Sequence, residues 1–312
     1  MWRIVSQHLP VHDLRKGGAP RKYDDRLILD SIFYVLRSGC QWRMLPRDLM
    51  PWDAAHRWFT KWRKDGTWDR VHDALRRQVR EAAGRDPEPS AAVLDAQTIK
   101  SSDGGEARGY DAGKRTTGRK RHVLVDTMGL LVVMVTSASV QDRAGGKEAL
   151  RRLAAGFRTV GLVWADGGYA NSVDNKLFSW ARETLGIVLE IVKRTDDVKG
   201  FKVLPRRWVV ERSFSWLVRN RRLARDYERL TATSEAMIKV AIIRVYGSYW
   251  NRILKQWGQR RPDEPTPSEI KQLVAYVKAH VVARRNARAG VAPLCTSSPH
   301  CAVCIGMPKT TA

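Results

Sequence analysis

The chain has 312 residues, 43% of them hydrophobic, and carries 56 Lys and Arg against 32 Asp and Glu, a formal net charge of +24. That apolar content is enough for a real core in one large domain or two ordinary ones, which excludes a disordered polycation. The basic excess is spread along the chain and selects a polyanion as partner, nucleic acid first. No run of about 18 apolar residues and no charged-then-apolar leader is present, so the expectation is an intracellular, soluble protein with no membrane partner.

The chain opens irregularly and then places Leu27, Ile28, Ile32, Val35 and Leu36 at helical intervals, with Asp24 and Asp25 at the favoured N-terminal end. A second helical pattern runs from about Asp53 to Lys64 and a third from Trp68 to about Ala83. Residues 1–88 therefore read as a small all-helical, helix-turn-helix-like domain, a kind of unit that often binds DNA. Its Trp42, Trp52, Trp58 and Trp62 are expected inside and its Arg and Lys outside. Gly84 to Ala91 is a linker by composition.

Beyond it the apolar period falls to two. AAVLDAQTIKSS, RKRHVLVDTMG and LLVVMVTSASV read as three strands, with Met128-Gly129 turning between the second and third. GGKEALRRLAAGF follows as a helix, TVGLVWADGGY as a fourth strand, NSVDNKLFSWARETLG as a helix capped by Asn171 with Asp174 three residues on, and IVLEIVKR as a last strand. One amphipathic helix is expected from Pro205 to Leu223, with Val210, Phe214 and Leu217 as its buried stripe and Arg219, Arg221 and Arg222 exposed, and a long helix spans SEAMIKVAIIRVYGSYWNRIL. Three strands joined by tight turns, then alternation, describe a mixed sheet with helices on its faces over residues 89–258. Residues 259–312 read as a Pro-rich linker, one helix started by Thr266, Pro267 and Glu269, and an aperiodic, disordered tail. Cys295, Cys301 and Cys304 surround His300 there. CxxC is a zinc-ligand spacing, but the second pair at loop distance is missing and disulfides are not implied.

Three acids carry the chemistry. Asp95 interrupts the apolar face of the first strand, Asp166 ends the fourth strand before Gly167 and Gly168, and Glu211 stands alone in a basic helix. A carboxylate in or at the end of a central strand needs a partner, and a divalent cation is the obvious one. If the first and fourth strands lie side by side, Asp95 and Asp166 converge and Glu211 reaches them from its helix. Two Asp and a Glu can hold two Mg2+ (or Mn2+) ions about 4 Å apart at a phosphodiester. Gly167 and Gly168 would leave room for a DNA backbone. Asp126 reads as a turn residue, and Asp142 either caps the next helix or supports the metals. His122 reads as a phosphate contact or a structural residue. Lys114, Arg115, Arg119, Lys120 and Arg121 form a basic run in a Gly-rich hairpin suited to phosphate.

The chain is similar to bacterial insertion-sequence transposases of the DDE type, in the IS-five family, over roughly residues 20 to 250. RKYDDRLILDSIFYVLRSGCQWRMLP resembles that family's helical leader; LDAQTIKSS, GRKRHVLVDTMGLL, TSASVQDR, WADGGY and RRWVVERSFSWLVRNRRLARDYE resemble its catalytic blocks. The resemblance implies an RNase H-like fold, a metal-binding triad of Asp95, Asp166 and Glu211, and cutting and rejoining of double-stranded DNA at element ends and target sites. It also implies a homodimer in the synaptic complex and a bacterial, nucleoid-associated location. In the family's Tyr, Arg, Glu, Lys signature, Arg207 and Glu211 fit, while Leu204 takes the Tyr place and Val218 the Lys place, which leaves Arg219 or Arg222 as candidates for the end-binding cation. Two other functions are weighed: a catalytically silent, transposase-derived repressor, opposed by the intact triad, and an RNase H-like repair or junction nuclease, opposed by the basic leader.

Overall fold

The computed structural model describes residues 2–10, 22–170, 176–192 and 208–257. The chain starts with a short helix α1 (Trp2–Val5) and a 3-10 turn, Ser6–His8, where the sequence shows no period. Helix α2 (Asp25–Ser38) begins where predicted, because Asp24 accepts the Leu27 N–H at 2.7 Å as its N-cap. It stops at Gly39, whose φ of 74° needs a glycine; a Cβ there would also fall 2.9 Å from Cβ of Arg221. Helices α3 (Trp52–Lys64) and α4 (Thr67–Ala82) are separated by Asp65 and Gly66, and Asp65 accepts from both the N–H and the hydroxyl of Thr67.

Trp62 and Trp68 are fully buried and meet edge to face with centroids 5.0 Å apart. Trp42 and Trp58 are partly buried against the same core. Trp52 corrects the expectation: it opens α3 facing outward, 39% exposed, with the Arg43 guanidinium over its ring.

The sheet has six strands: β1 (Ala91–Lys100), β2 (Gly109–Asp111), β3 (Thr116–Asp126), β4 (Leu131–Ser137), β5 (Leu162–Ala165) and β6 (Val188–Ile191). β3 pairs antiparallel with β1 on one side and with β2 and β4 on the other. β5 runs parallel to β1, and β6 parallel to β5. The short β2 was not predicted, since three residues carry no period.

Helices α5 (Asp142–Gly156) and α6 (Lys176–Leu185) share one core with Ala92, Leu94, Leu124, Val163 and Ala165, which lie on one face of the sheet. Asn171 and Asp174, the expected cap of α6, lie outside the described residues. Helices α7 (Trp208–Val218) and α9 (Thr231–Trp257) share the other core with Val93, Val123 and Val125. The helix expected as one piece from Pro205 to Leu223 is broken: α7 stops at Val218 and α8 (Arg221–Ala224) restarts after Asn220. Asn220 is buried at the break, and its Nδ2 donates to the Trp216 carbonyl at 3.1 Å. Pro205 lies outside the described residues. On α7, Val210 and Leu217 are buried as predicted and Phe214 is partly so.

The helices of residues 2–82 belong to that second core as well. Met237, Ile238, Val240, Ala241, Ile242 and Ile243 of α9 are fully buried, so this stretch of α9 is covered nearly all round, by α4 on one side and β4 on another. Tyr246 Oη of α9 lies 2.9 Å from His72 Nε2 of α4. Met1–Gly258 groups as one compact unit. The expected linker, terminal helix and Cys-His cluster of residues 259–312 lie outside the described residues.

Candidate active site

Register places the first two acids. β1 pairs with β5 so that Val93 faces Trp164 and Leu94 faces Ala165. Asp95 and Asp166 are the next positions along these neighbouring strands: Asp95 in the middle of β1, Asp166 immediately after the C-terminal end of β5. Asp95 lies directly across from Val123 in the β1–β3 pair, and Val123 belongs to the core shared with α7. Side chains alternate along a strand, so Asp95 shares the face of Val93, and Asp166 continues the face of Trp164. Asp95 Oδ1 accepts from the Ala96 N–H at 2.7 Å. Asp166 caps a 3-10 turn, Gly167–Tyr169, by accepting the Gly168 N–H at 2.9 Å.

Glu211 sits on α7, the helix that packs against β1 and β3 on this same face. It is exposed and follows the fully buried Val210. Asp95 and Asp166 are thus register neighbours, and Glu211 is on a helix that packs against β1 and β3. Among the described residues no group of three or more His, Cys, Asp or Glu side chains stands in position to hold a metal ion. The two neighbouring side chains fit a hard divalent cation, because they offer carboxylate oxygen and neither nitrogen nor sulfur.

A second layer lies behind the pair. Asp142 is the first residue of α5; Gln141 is the N-cap, so Asp142 does not cap the helix. Its Oδ1 stands 2.9 Å from Lys120 Nζ, and Lys120 is also 3.5 Å from Asp111 Oδ2. Asp111 in turn accepts from the Thr98 hydroxyl, and its carboxyl is held below the ordinary range against the opposing effect of burial by Thr98, Lys114 and Lys120. A Cβ on Gly168 would meet Asp166 Oδ1 at 3.1 Å and Asp142 Oδ2 at 3.8 Å, so both carboxylates flank that glycine.

Gly145 and Gly146 let α5 lie close over this end of the sheet. A Cβ at Gly145 would stand 2.1 Å from His122 Nε2, and one at Gly146 2.6 Å from Tyr169 Cε1. His122 is fully buried, with neither ring nitrogen hydrogen-bonded among the described residues. Burial lowers its pKa to about 4, with Asp142 opposing, so the ring is neutral at pH 7. It is not a phosphate contact. Tyr169 is 1% exposed, and its hydroxyl also has no hydrogen-bond partner among the described residues. Burial raises its pKa, and the charges of Asp95, Asp142 and Asp166 raise it further.

The basic run corrects the phosphate expectation. Arg119 is fully buried, pairs with Asp226 at 3.1 Å, and donates to the carbonyls of Glu106, Glu228 and Arg229. Arg121 is fully buried, donates to the Leu223 carbonyl, and has its pKa lowered to about 10 by burial. Lys120 is 6% exposed and held by Asp111 and Asp142. These three cations tie β3 to its neighbours; Lys114 and Arg115 remain exposed. Arg222 is likewise spent inside, on Glu228 and the Cys40 carbonyl, whereas Arg219 is exposed. Arg207 lies outside the described residues. Sequence reading missed Asp111 and Tyr169 as site neighbours; the adjacent glycines inside α5 were the available signal, since glycine in a helix interior costs roughly 1 kcal/mol and marks a close approach.

A mixed sheet in this order, with one acid within β1, another just after the parallel β5, and helices on both faces, defines the RNase H-like class. Residues 86–246, more than half of the chain, match the family model of the transposase DDE domain, and the chain belongs to that family. Residues 1–72 match the model described as "Putative transposase of IS4/5 family". Over 113 residues, 35% of this chain and 76% of the relative, it is 28% identical to the "Insertion element IS402 uncharacterized 16.2 kDa protein" of Burkholderia cepacia. The chain is thus a transposase of the DDE-domain family, and that membership implies DNA binding. No helix among the described residues is long and apolar enough to cross a membrane.

Proposed function

We propose that the protein binds the ends of its insertion element and catalyses strand cleavage followed by strand transfer, with Asp95, Asp166 and Glu211 as the metal-binding triad. The observation that carries this is the register neighbourhood of Asp95 and Asp166 at β1 and β5, with Glu211 on a helix packed against β1 and β3. Two divalent ions, Mg2+ or Mn2+, would supply activation of the attacking oxygen and neutralise charge on the leaving one. In cleavage, a water oxygen bonds to phosphorus while the bond from phosphorus to the 3′ oxygen breaks, freeing a 3′-hydroxyl on the element. In transfer, that hydroxyl attacks a target phosphodiester and displaces another 3′ oxygen; one phosphodiester replaces another, so no external energy is needed. The residues of this chain orient the phosphate, and the exposed Gly167 and Gly168 leave room for it beside Asp166.

Helices of residues 1–88 recognise the element ends in this reading, through the exposed stripe of His56, Arg57, Lys61 and Lys64 on α3. Residues 89–258 carry the chemistry, and two chains act as a dimer in the synaptic complex. Arg219 and Lys114 are the exposed candidates for backbone contacts near the site. The test incubates the purified chain with DNA carrying the element's own flanking ends and Mg2+. Asp95→Asn, Asp166→Asn and Glu211→Gln should each abolish cleavage while leaving end binding intact or tighter, since each removes negative charge beside a phosphate. Wild-type cleavage by any of the three variants would show the triad to be wrong.

A further inference from the structure

Tyr169 presents a problem that packing does not solve. Its ring fills the space above Gly146, where a phenylalanine would serve equally, yet its hydroxyl is buried without a hydrogen-bond partner among the described residues. A buried donor left unpaired is a cost that a fold sheds unless some state of the molecule uses it. Tyr169 follows Gly168 directly, the glycine flanked by Asp166 Oδ1 and Asp142 Oδ2, and its ring lies against Gly146 of the helix that Asp142 begins. Asp142 is held from behind: Lys120 bridges it to Asp111, and Asp111 is fixed by Thr98 of β1. Its other oxygen faces Asp166 across Gly168.

We propose that Tyr169 and Asp142 are positioning residues of the metal centre, a phenol and an extra carboxylate that hold Asp166 in its ligating orientation. The inference rests on the assignment of Asp95 and Asp166 as metal ligands. With the site loaded, the Tyr169 hydroxyl would donate to one of these carboxylates, and Asp142, anchored by Lys120, would limit how far Asp166 can swing. Residues behind the direct ligands set metal affinity in this way, and their loss costs about 10- to 100-fold.

The test uses the full-length chain and Mn2+ alone, with free Mn2+ read by electron paramagnetic resonance during titration. Tyr169→Phe and Asp142→Asn should each weaken Mn2+ binding by about 10-fold or more. The melting temperature of metal-free Tyr169→Phe should equal or exceed the wild-type value, because the ring is retained and only an unpaired buried hydroxyl is lost. Asp95→Asn is the reference for loss of a direct ligand, and the exposed Asp103→Asn is the neutral control. If Asp95→Asn weakens Mn2+ binding and Tyr169→Phe and Asp142→Asn both match the wild type within twofold, the positioning role is overturned while the metal site stands. If Asp95→Asn also matches the wild type, or the wild type binds no Mn2+, the metal-site assignment fails and this inference with it.

Discussion

Arg80 of α4 and Asp126 at the end of β3 form an ion pair with both side chains almost fully buried, at 6% and 2% exposure. Asp126 also accepts the N–H groups of Met128 and Leu130, each at 2.8 Å, so one carboxylate closes the β3–β4 turn and ties the leader helices to the sheet. Removing one member of a buried pair strands the other charge in the core. Asp126→Ala should therefore cost about 3–5 kcal/mol, or on the order of 10 °C in melting temperature. Asp126→Asn keeps an acceptor for the turn and should cost less. Equal, small losses from both, measured by thermal unfolding, would mean the pair contributes nothing.

His72 is buried between α4 and α9, and burial, with Lys239 and Arg76 adding, lowers its pKa to about 3. The unfolded chain protonates this group near pH 6.5, while the folded chain does not until about pH 3. Between these values the unfolded state binds more protons, so stability falls as pH is lowered through the window. The contribution between pH 6.5 and 5 is about 2 kcal/mol. His72→Gln can still accept from the Tyr246 hydroxyl and should flatten that dependence. Denaturant melts of both proteins at pH 7 and pH 5 decide it; parallel pH profiles would refute the assignment.

Gly145→Ala places a methyl group where the His122 ring stands. Overpacking of this kind should cost about 1–3 kcal/mol, and combining it with His122→Ala should recover part of the loss. Strict additivity in the double-mutant cycle would mean that the helix simply moves away.

End recognition by α3 is testable through salt. Lys61→Glu with Lys64→Glu should flatten the slope of log K against log salt by about 2, if each lysine contacts one phosphate. Substitution is the sounder test than deletion of residues 1–88, because deletion would uncover α9. An unchanged slope would place the DNA on another surface.

The positions of Asp95 and Asp166 were legible because a carboxylate interrupting or ending an apolar strand is costly unless it has a task. The strand and helix order was legible from the change of apolar period after Ala91. The fate of Arg119 and Arg121 was not. GRKRHVLV looks like an exposed basic strand until Asp226, Glu228 and the Leu223 carbonyl, a hundred residues further on, are brought against it. Nor could periodicity find the break at Asn220, since the apolar stripe of α7 runs into α8 without a proline or glycine. Glu211 was singled out by composition alone, and the break at Asn220 changes that setting: α7 carries Glu211 beside a single arginine, Arg212, while Arg219, Arg221 and Arg222 lie beyond its end.

Helix α9 lies late in the polypeptide, yet its fully buried residues complete the same core as Trp62, Trp68 and Val71 near the start. During synthesis the leader helices therefore emerge with an apolar face whose cover has not been made, and that face stays open while some 150 further residues are added at about 5–20 per second. Polypeptides released before Thr231 should collect in the insoluble fraction, whereas chains that reach Trp257 can close the core, so truncated translation products of this gene are poor candidates for soluble competitors of the full-length enzyme.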